Sequence, residues 1–102
     1  MKIIKTLEEL IEEEIHDVKK YAKLAVEYKE EHPELAHLFY NLSTQEDSHQ
    51  ASLHSEVVKI IDEHRRTHGS PPAAMLAVYD YIHKKHIEAL AEARTYQEMY
   101  KK

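Results

Sequence analysis

Residues 33–68 read PELAHLFYNLSTQEDSHQASLHSEVVKIIDEHRRTH, and this stretch decides the fold. After its opening proline it holds neither Pro nor Gly. Its Leu35, Leu38, Leu42, Leu53, Val57 and Ile60 belong to one series of steps of three and four, completed by Glu46 and His49. That spacing keeps side chains on a single stripe of an α-helix. Proline suits the first turn of a helix and disfavours helix for the residue before it, here His32. The stretch therefore predicts one long helix over about 33–68, entered from a tight turn.

Working outward, Thr6 followed by Glu9 has the form of a capping box, which predicts a first helix over about 7–31. Downstream, Gly69-Ser70-Pro71-Pro72 contains a residue that can close one helix and a Ser-Pro pair that can open the next. A third helix over about 71–100 follows. All three exceed the usual globular length of about 11 to 12 residues, which points to bundle packing. The chain has 102 residues, 42% of them hydrophobic, with a single Gly and three Pro. The expectation is one all-α domain over 1–102, a long antiparallel hairpin plus a third helix.

Charge and composition narrow the chemistry. The formal charge is -5, with 19 acidic against 14 basic residues and no long basic run, which argues against a nucleic-acid partner. There is no cysteine, so a thiolate site, a disulfide framework and a cysteine nucleophile are excluded, and any metal must sit among Glu, Asp and His. The opening MKIIKTLEEL lacks the apolar run of a secretion signal, and nothing approaches the roughly 20 apolar residues of a membrane span. A cytoplasmic protein is expected.

Three polar residues interrupt the apolar stripes. In helix 1 the stripe is Leu7, Leu10, Glu14, Val18, Tyr21, Ala25 and Tyr28, and in helix 2 it is broken by Glu46 and His49. A carboxylate in an apolar stripe costs several kcal/mol unless it is paired, protonated or bound to a metal. In an antiparallel hairpin, residues at equal depth average to the turn centre. Glu14 and Glu46 average to 30, and Glu14 and His49 to 31.5, within the expected turn Lys29–Pro33. The three side chains are thus expected at one level, where a Glu and a His three residues apart can serve one ion.

The Glu-x-x-His spacing is weak by itself. With 15 Glu and 9 His in 102 residues, about one instance arises by chance, and three are present. Glu13 with His16 and Glu34 with His37 share their stripes with charged or hydroxyl residues and read as solvated faces. Only Glu46 with His49 lies on an apolar stripe with another carboxylate at its level.

The segment Glu14-Ile-His-Asp-Val-Lys-Lys-Tyr21, followed by Glu46-Asp-Ser-His49, resembles the first half of rubrerythrin and related ferritin-like di-iron proteins. The resemblance covers roughly residues 7–60, and Ala91–Tyr100 is similar to the third helix of short ferritin-like proteins. It implies Glu14 as a terminal iron ligand, Glu46 as the bridge and His49 as the nitrogen ligand, with Tyr21 near the site. Full-length members carry a second set of ligands, which helix 3 lacks at the matching depth. The resemblance therefore implies a four-helix di-iron core completed by dimerisation, as in encapsulated ferritins, with two Fe shared between two subunits. Without cysteine there is no rubredoxin-like module, so ferroxidase or other oxygen chemistry is more economical than peroxide reduction.

Fe(II) suits these donors, and Mn(II) or Zn(II) can bind similarly. Two other readings share the same residues: a structural or adaptor dimer in which Glu14 pairs with His49, and a reversible, non-redox metal binder. Tyr21 reads first as a core aromatic, since a buried Tyr usually packs and satisfies its hydroxyl. His83 and His86 lie on the helix 3 stripe with Leu76, Tyr79, Leu90 and Ala93. A turn centre near 70 sets them level with residues 54–57, about 12 Å along the axis from His49. A second metal site with His54 is one reading, and structural or surface histidines are the blander one.

Overall fold

A computed structural model describes all 102 residues as three helices and no strand: α1 Lys2–Tyr28, α2 Pro33–His68 and α3 Ala73–Lys101. α2 begins at Pro33, where the missing N–H costs no helical hydrogen bond. It is closed by Gly69, which sits at φ 81 and donates its N–H to the Arg65 carbonyl at 3.0 Å. A Cβ at Gly69 would meet nothing within 4 Å, so the requirement for glycine there is conformational rather than steric.

The other helices depart from the expected bounds for local reasons. α1 begins at Lys2, not near Leu7. Nothing in MKIIKT breaks a helix, and Ile4 is fully buried, so tertiary burial carries the helix past the capping box. Thr6 is accordingly an interior residue whose hydroxyl donates to the Lys2 carbonyl at 3.1 Å. α1 also stops at Tyr28, short of residue 31. Pro33 holds His32 at φ -137, and the Lys29 N–H reaches back to Val26 in a tightened last turn. α3 starts at Ala73 rather than 71, because Pro71 precedes a second proline. The Pro72 carbonyl accepts the first N–H groups, from Met75 at 3.0 Å and Leu76 at 3.1 Å.

The assembled molecule is a rod of 56 × 19 × 17 Å, whose length matches the roughly 54 Å expected of a 36-residue α2. α1 is the spine. It packs along both α2 and α3, while the backbones of α2 and α3 scarcely approach each other. The connections are short, so α2 runs antiparallel to both neighbours and α1 and α3 run parallel. At the end far from the α1–α2 turn, Ile4, Ile11, Ile15 and Val57 form the core, with Leu53, Ile60 and Leu90 packed against it. Burying each such side chain stabilises the fold by about 1.5–3 kcal/mol. Nearer the turn, the fully buried apolar residues are Val18, Ala22, Ala25, Ala36 and Ala93, small enough to let the backbones close up.

The buried positions of α2 are Ala36, Ser43, Gln50 and Val57, a spacing of seven that marks a coiled-coil seam. Two are polar and belong to a ladder across all three helices. Ser43 Oγ donates to the Val18 carbonyl at 2.7 Å, and Gln97 Nε2 donates to Ser43 Oγ at 2.9 Å. One turn on, Arg94 grips Asp47 through two bonds, Nε to Oδ2 at 2.9 Å and Nη2 to Oδ1 at 2.8 Å. Gln50 adds a third donor to Asp47 at 3.1 Å. These bonds attach α3 to α2, whose backbones lie apart. No helix is long and apolar enough to cross a membrane.

Candidate metal centre

α1 has to serve two neighbours, and its core stripe, Ile4, Ile11, Ile15, Val18, Ala22 and Ala25, therefore faces the space between them. Leu7, Leu10, Glu14 and Tyr21 lie beside that stripe, on the flank turned toward α2 and away from α3. On α2 the matching flank carries Leu35, Leu38, Phe39, Leu42, Glu46 and His49. The expectation that these stripes form a buried seam within the chain is corrected here. Leu10, Leu35 and Leu38 are exposed, Leu38 by 51%, and only part of each stripe is covered. A helix with two neighbours buries the side that lies between them, and the pattern of threes and fours does not tell that side from the adjoining one.

The hairpin register brings the three polar residues of this flank together. Tyr21 meets Phe39, and Val18 meets Ser43, so Glu14 lies level with Glu46. Donor atoms of Glu14, Glu46 and His49 all lie within 4.8 Å of one another. His49 Nδ1 is 3.8 Å from Glu14 Oε2 and 3.8 Å from Glu46 Oε1, too long for a hydrogen bond and within reach of an ion pair. The side chains of Glu14 and Glu46 are 27% and 20% exposed, whereas that of His49 is 60% exposed. The carboxylates sit in the flank and the imidazole lies at its mouth.

Neither carboxylate pairs with a lysine or an arginine. Glu14 Oε2 is buried and has no hydrogen-bond partner at all. An unpartnered buried carboxylate oxygen forfeits about 1–3 kcal/mol, and more if it is charged. The group it fits is a cation: two carboxylates and an imidazole match a hard-to-borderline divalent metal such as Fe(II), Mn(II) or Zn(II). One chain offers three ligands.

Tyr21 is half-buried and stacks on Phe39 with ring centroids 6.4 Å apart and planes at 18°. Lys20 Nζ lies 5.0 Å from its ring centroid. No hydrogen bond ties it to Glu14, Glu46 or His49, and its contacts are those of a packing aromatic. Glu13, His16, Glu34 and His37 are exposed. The polar ladder through Ser43, Asp47 and Gln97 had no place in the expectations from sequence. Its signal is the run Ala36, Ser43, Gln50 and Val57 at intervals of seven, which competes with the Leu stripe beside it. No family model, curated protein or solved structure matches this chain.

Proposed function

We propose that this chain is a ferritin-like protein that takes up Fe(II) and oxidises it with oxygen or peroxide, at a site completed by a second copy. The observation that carries the reading is the buried, unpartnered Oε2 of Glu14 facing Glu46 and His49. Glu14 and Glu46 supply oxygen to the ion and His49 supplies nitrogen. A bound pair of Fe(II) ions supplies one electron each to the oxidant. The protein's part is to hold the two carboxylates at one level, with the imidazole at the mouth and no lysine or arginine paired to either.

A di-iron bundle of this kind uses about four carboxylates and two imidazoles. Two copies related by a twofold axis bring that number, and the surface supports their meeting. Leu10, Leu35 and Leu38 are exposed on the same flank as the cluster, where a monomer gains nothing from them. The 3.8 Å separations favour a second reading, in which a protonated His49 pairs with both carboxylates in a structural or adaptor dimer that binds no metal.

Anaerobic titration of the apoprotein with Fe(II), followed by admission of air, separates the two while light scattering follows the oligomer. About one iron per chain in a dimer, with near-ultraviolet charge-transfer absorbance growing in air, is the expected result. A dimer that takes up no iron would leave the structural reading. Iron or zinc uptake without oxygen consumption would leave a non-redox metal binder.

A further inference from the structure

A second group of imidazoles lies on the opposite flank of α2. His54 of α2 and His83 of α3 stack with ring centroids 4.6 Å apart and planes 8° from parallel. His86 is three residues beyond His83, so both leave α3 on neighbouring lines of the same side. All three line one cavity of about 210 Å³ between the helices, together with Glu8 of α1. The hydrogen bond of His68 with Thr67 is the only one any imidazole in the chain makes, so the ring nitrogens of these three have no protein partner.

Packing alone does not account for the group. Its apolar neighbours on the cavity wall are Ile11, Val57, Ile61 and Leu76, with Arg65 and Asp80 also on that wall, and an apolar side chain in place of any of the imidazoles would bury more apolar area. The environment also suits ligands. Burial, then the adjacent His83, pushes the His54 imidazole below the ordinary histidine range, and burial does the same to His86 against the opposing pull of Glu12. Burial raises the Glu8 carboxyl, partly offset by the chain's N-terminal ammonium.

We propose that His54, His83 and His86, with Glu8 as oxygen donor, form a second metal site, which takes a zinc-type divalent ion and clips α3 to α2. Three imidazoles and one carboxylate are a tetrahedral zinc set, richer in nitrogen than the Glu14 cluster and so less suited to Fe(II). As stacked, His54 and His83 present their faces to each other. Coordination of one ion by both requires the rings to turn edge-on. The site is separate from the first: His54 lies about 140° around α2 from His49 and about 7.5 Å along its axis. The clip acts where it has most effect, because α2 and α3 otherwise meet through side chains alone.

Equilibrium dialysis against Zn2+ tests this in a chain whose first cluster is removed by Glu14→Ala, Glu46→Ala and His49→Ala together. That variant is expected to keep about one zinc per chain, and a further His54→Ala or His83→Ala is expected to weaken binding by roughly tenfold or more. Co2+ in the same variant is expected to give the intense visible bands of tetrahedral coordination, reduced by His86→Gln. No zinc bound, or zinc bound equally without His54 and His83, overturns the proposal; the second result would move the ion to a surface pair such as His64 and His68. If circular dichroism shows that the triple variant has lost its helices, the Co2+ bands are compared between the wild-type chain and His54→Gln. Bands that do not differ there overturn the proposal.

Discussion

Glu46 and Asp47 are adjacent in sequence and have opposite surroundings. Asp47, on the α3 side of α2, receives two bonds from Arg94 and one from Gln50, and its carboxyl is held below the ordinary aspartate range chiefly by the Arg94 hydrogen bonds. Glu46, on the outer side, faces another carboxylate and an imidazole with no cation from the protein. Both side chains are mostly covered, 17% exposed for Asp47 and 20% for Glu46. Burial therefore does not distinguish them. What does is whether the fold brings its own positive charge: a covered carboxylate with a protein counter-ion is part of the architecture, while one without it is left open to a counter-ion from solution, as the proposed site requires.

Exchanging the two carboxylates for alanine, one at a time, puts this to its strongest test. Glu46→Ala is expected to weaken Fe(II) uptake by roughly a hundredfold or more, beyond the loss typical when only a ligand's supporting hydrogen bond is removed, while Asp47→Ala leaves it within about twofold. Equal losses in a titration would erase the distinction. In urea unfolding the order reverses: Asp47→Ala is expected to cost about 2 kcal/mol, because Arg94 and Gln50 lose their acceptor.

Acid titration sharpens the same contrast. Since Asp47 has a lower pKa folded than unfolded, its contribution is fully present above the ordinary aspartate value and is lost as pH falls toward the lowered folded one. Urea midpoints are expected to drop from about pH 5 downward, and the Asp47→Asn chain to show a shallower slope over that window. An identical slope in both would place the acid sensitivity elsewhere. The smallest effect is expected from Glu14→Leu in protein freed of metal, a gain of about 1 kcal/mol as an unpartnered carboxylate leaves a covered position. Asp47→Leu is expected to move the urea midpoint the other way.

Much of this geometry was legible in the sequence, and the failures have physical causes. Pro33 and Gly69 act through their own backbone restrictions, so the bounds of α2 follow from local chemistry. The common level of Glu14, Glu46 and His49 follows from the position of the turn. Thr6 misleads because the burial of Ile4 outweighs a local cap. The Leu stripe misleads because α1 and α2 each present two adjoining apolar lines, and only the arrival of α3 selects which is covered. His83 stacks on His54, although the expected turn centre set His86 at that level. The bond network of Ser43, Asp47, Arg94 and Gln97 spans residues far apart in the chain: the run of seven through Ser43 and Gln50 marks its place on α2, and no local pattern announces its partners on α3.

The buried Ser43 has a consequence for how the rod can be assembled. A seam of small side chains repeating every seven residues would let α3 slide along α2 and settle again one repeat away, with similar apolar contacts. A slip of that length would bring Leu90 against the Ser43 hydroxyl and set Ile87, rather than Arg94, opposite Asp47. The ladder then works like the notch on a sliding scale, where one setting satisfies every bond and that slip satisfies none of them. A rod of three helices is in this way fixed along its axis by polar groups, and its apolar residues need only hold it together.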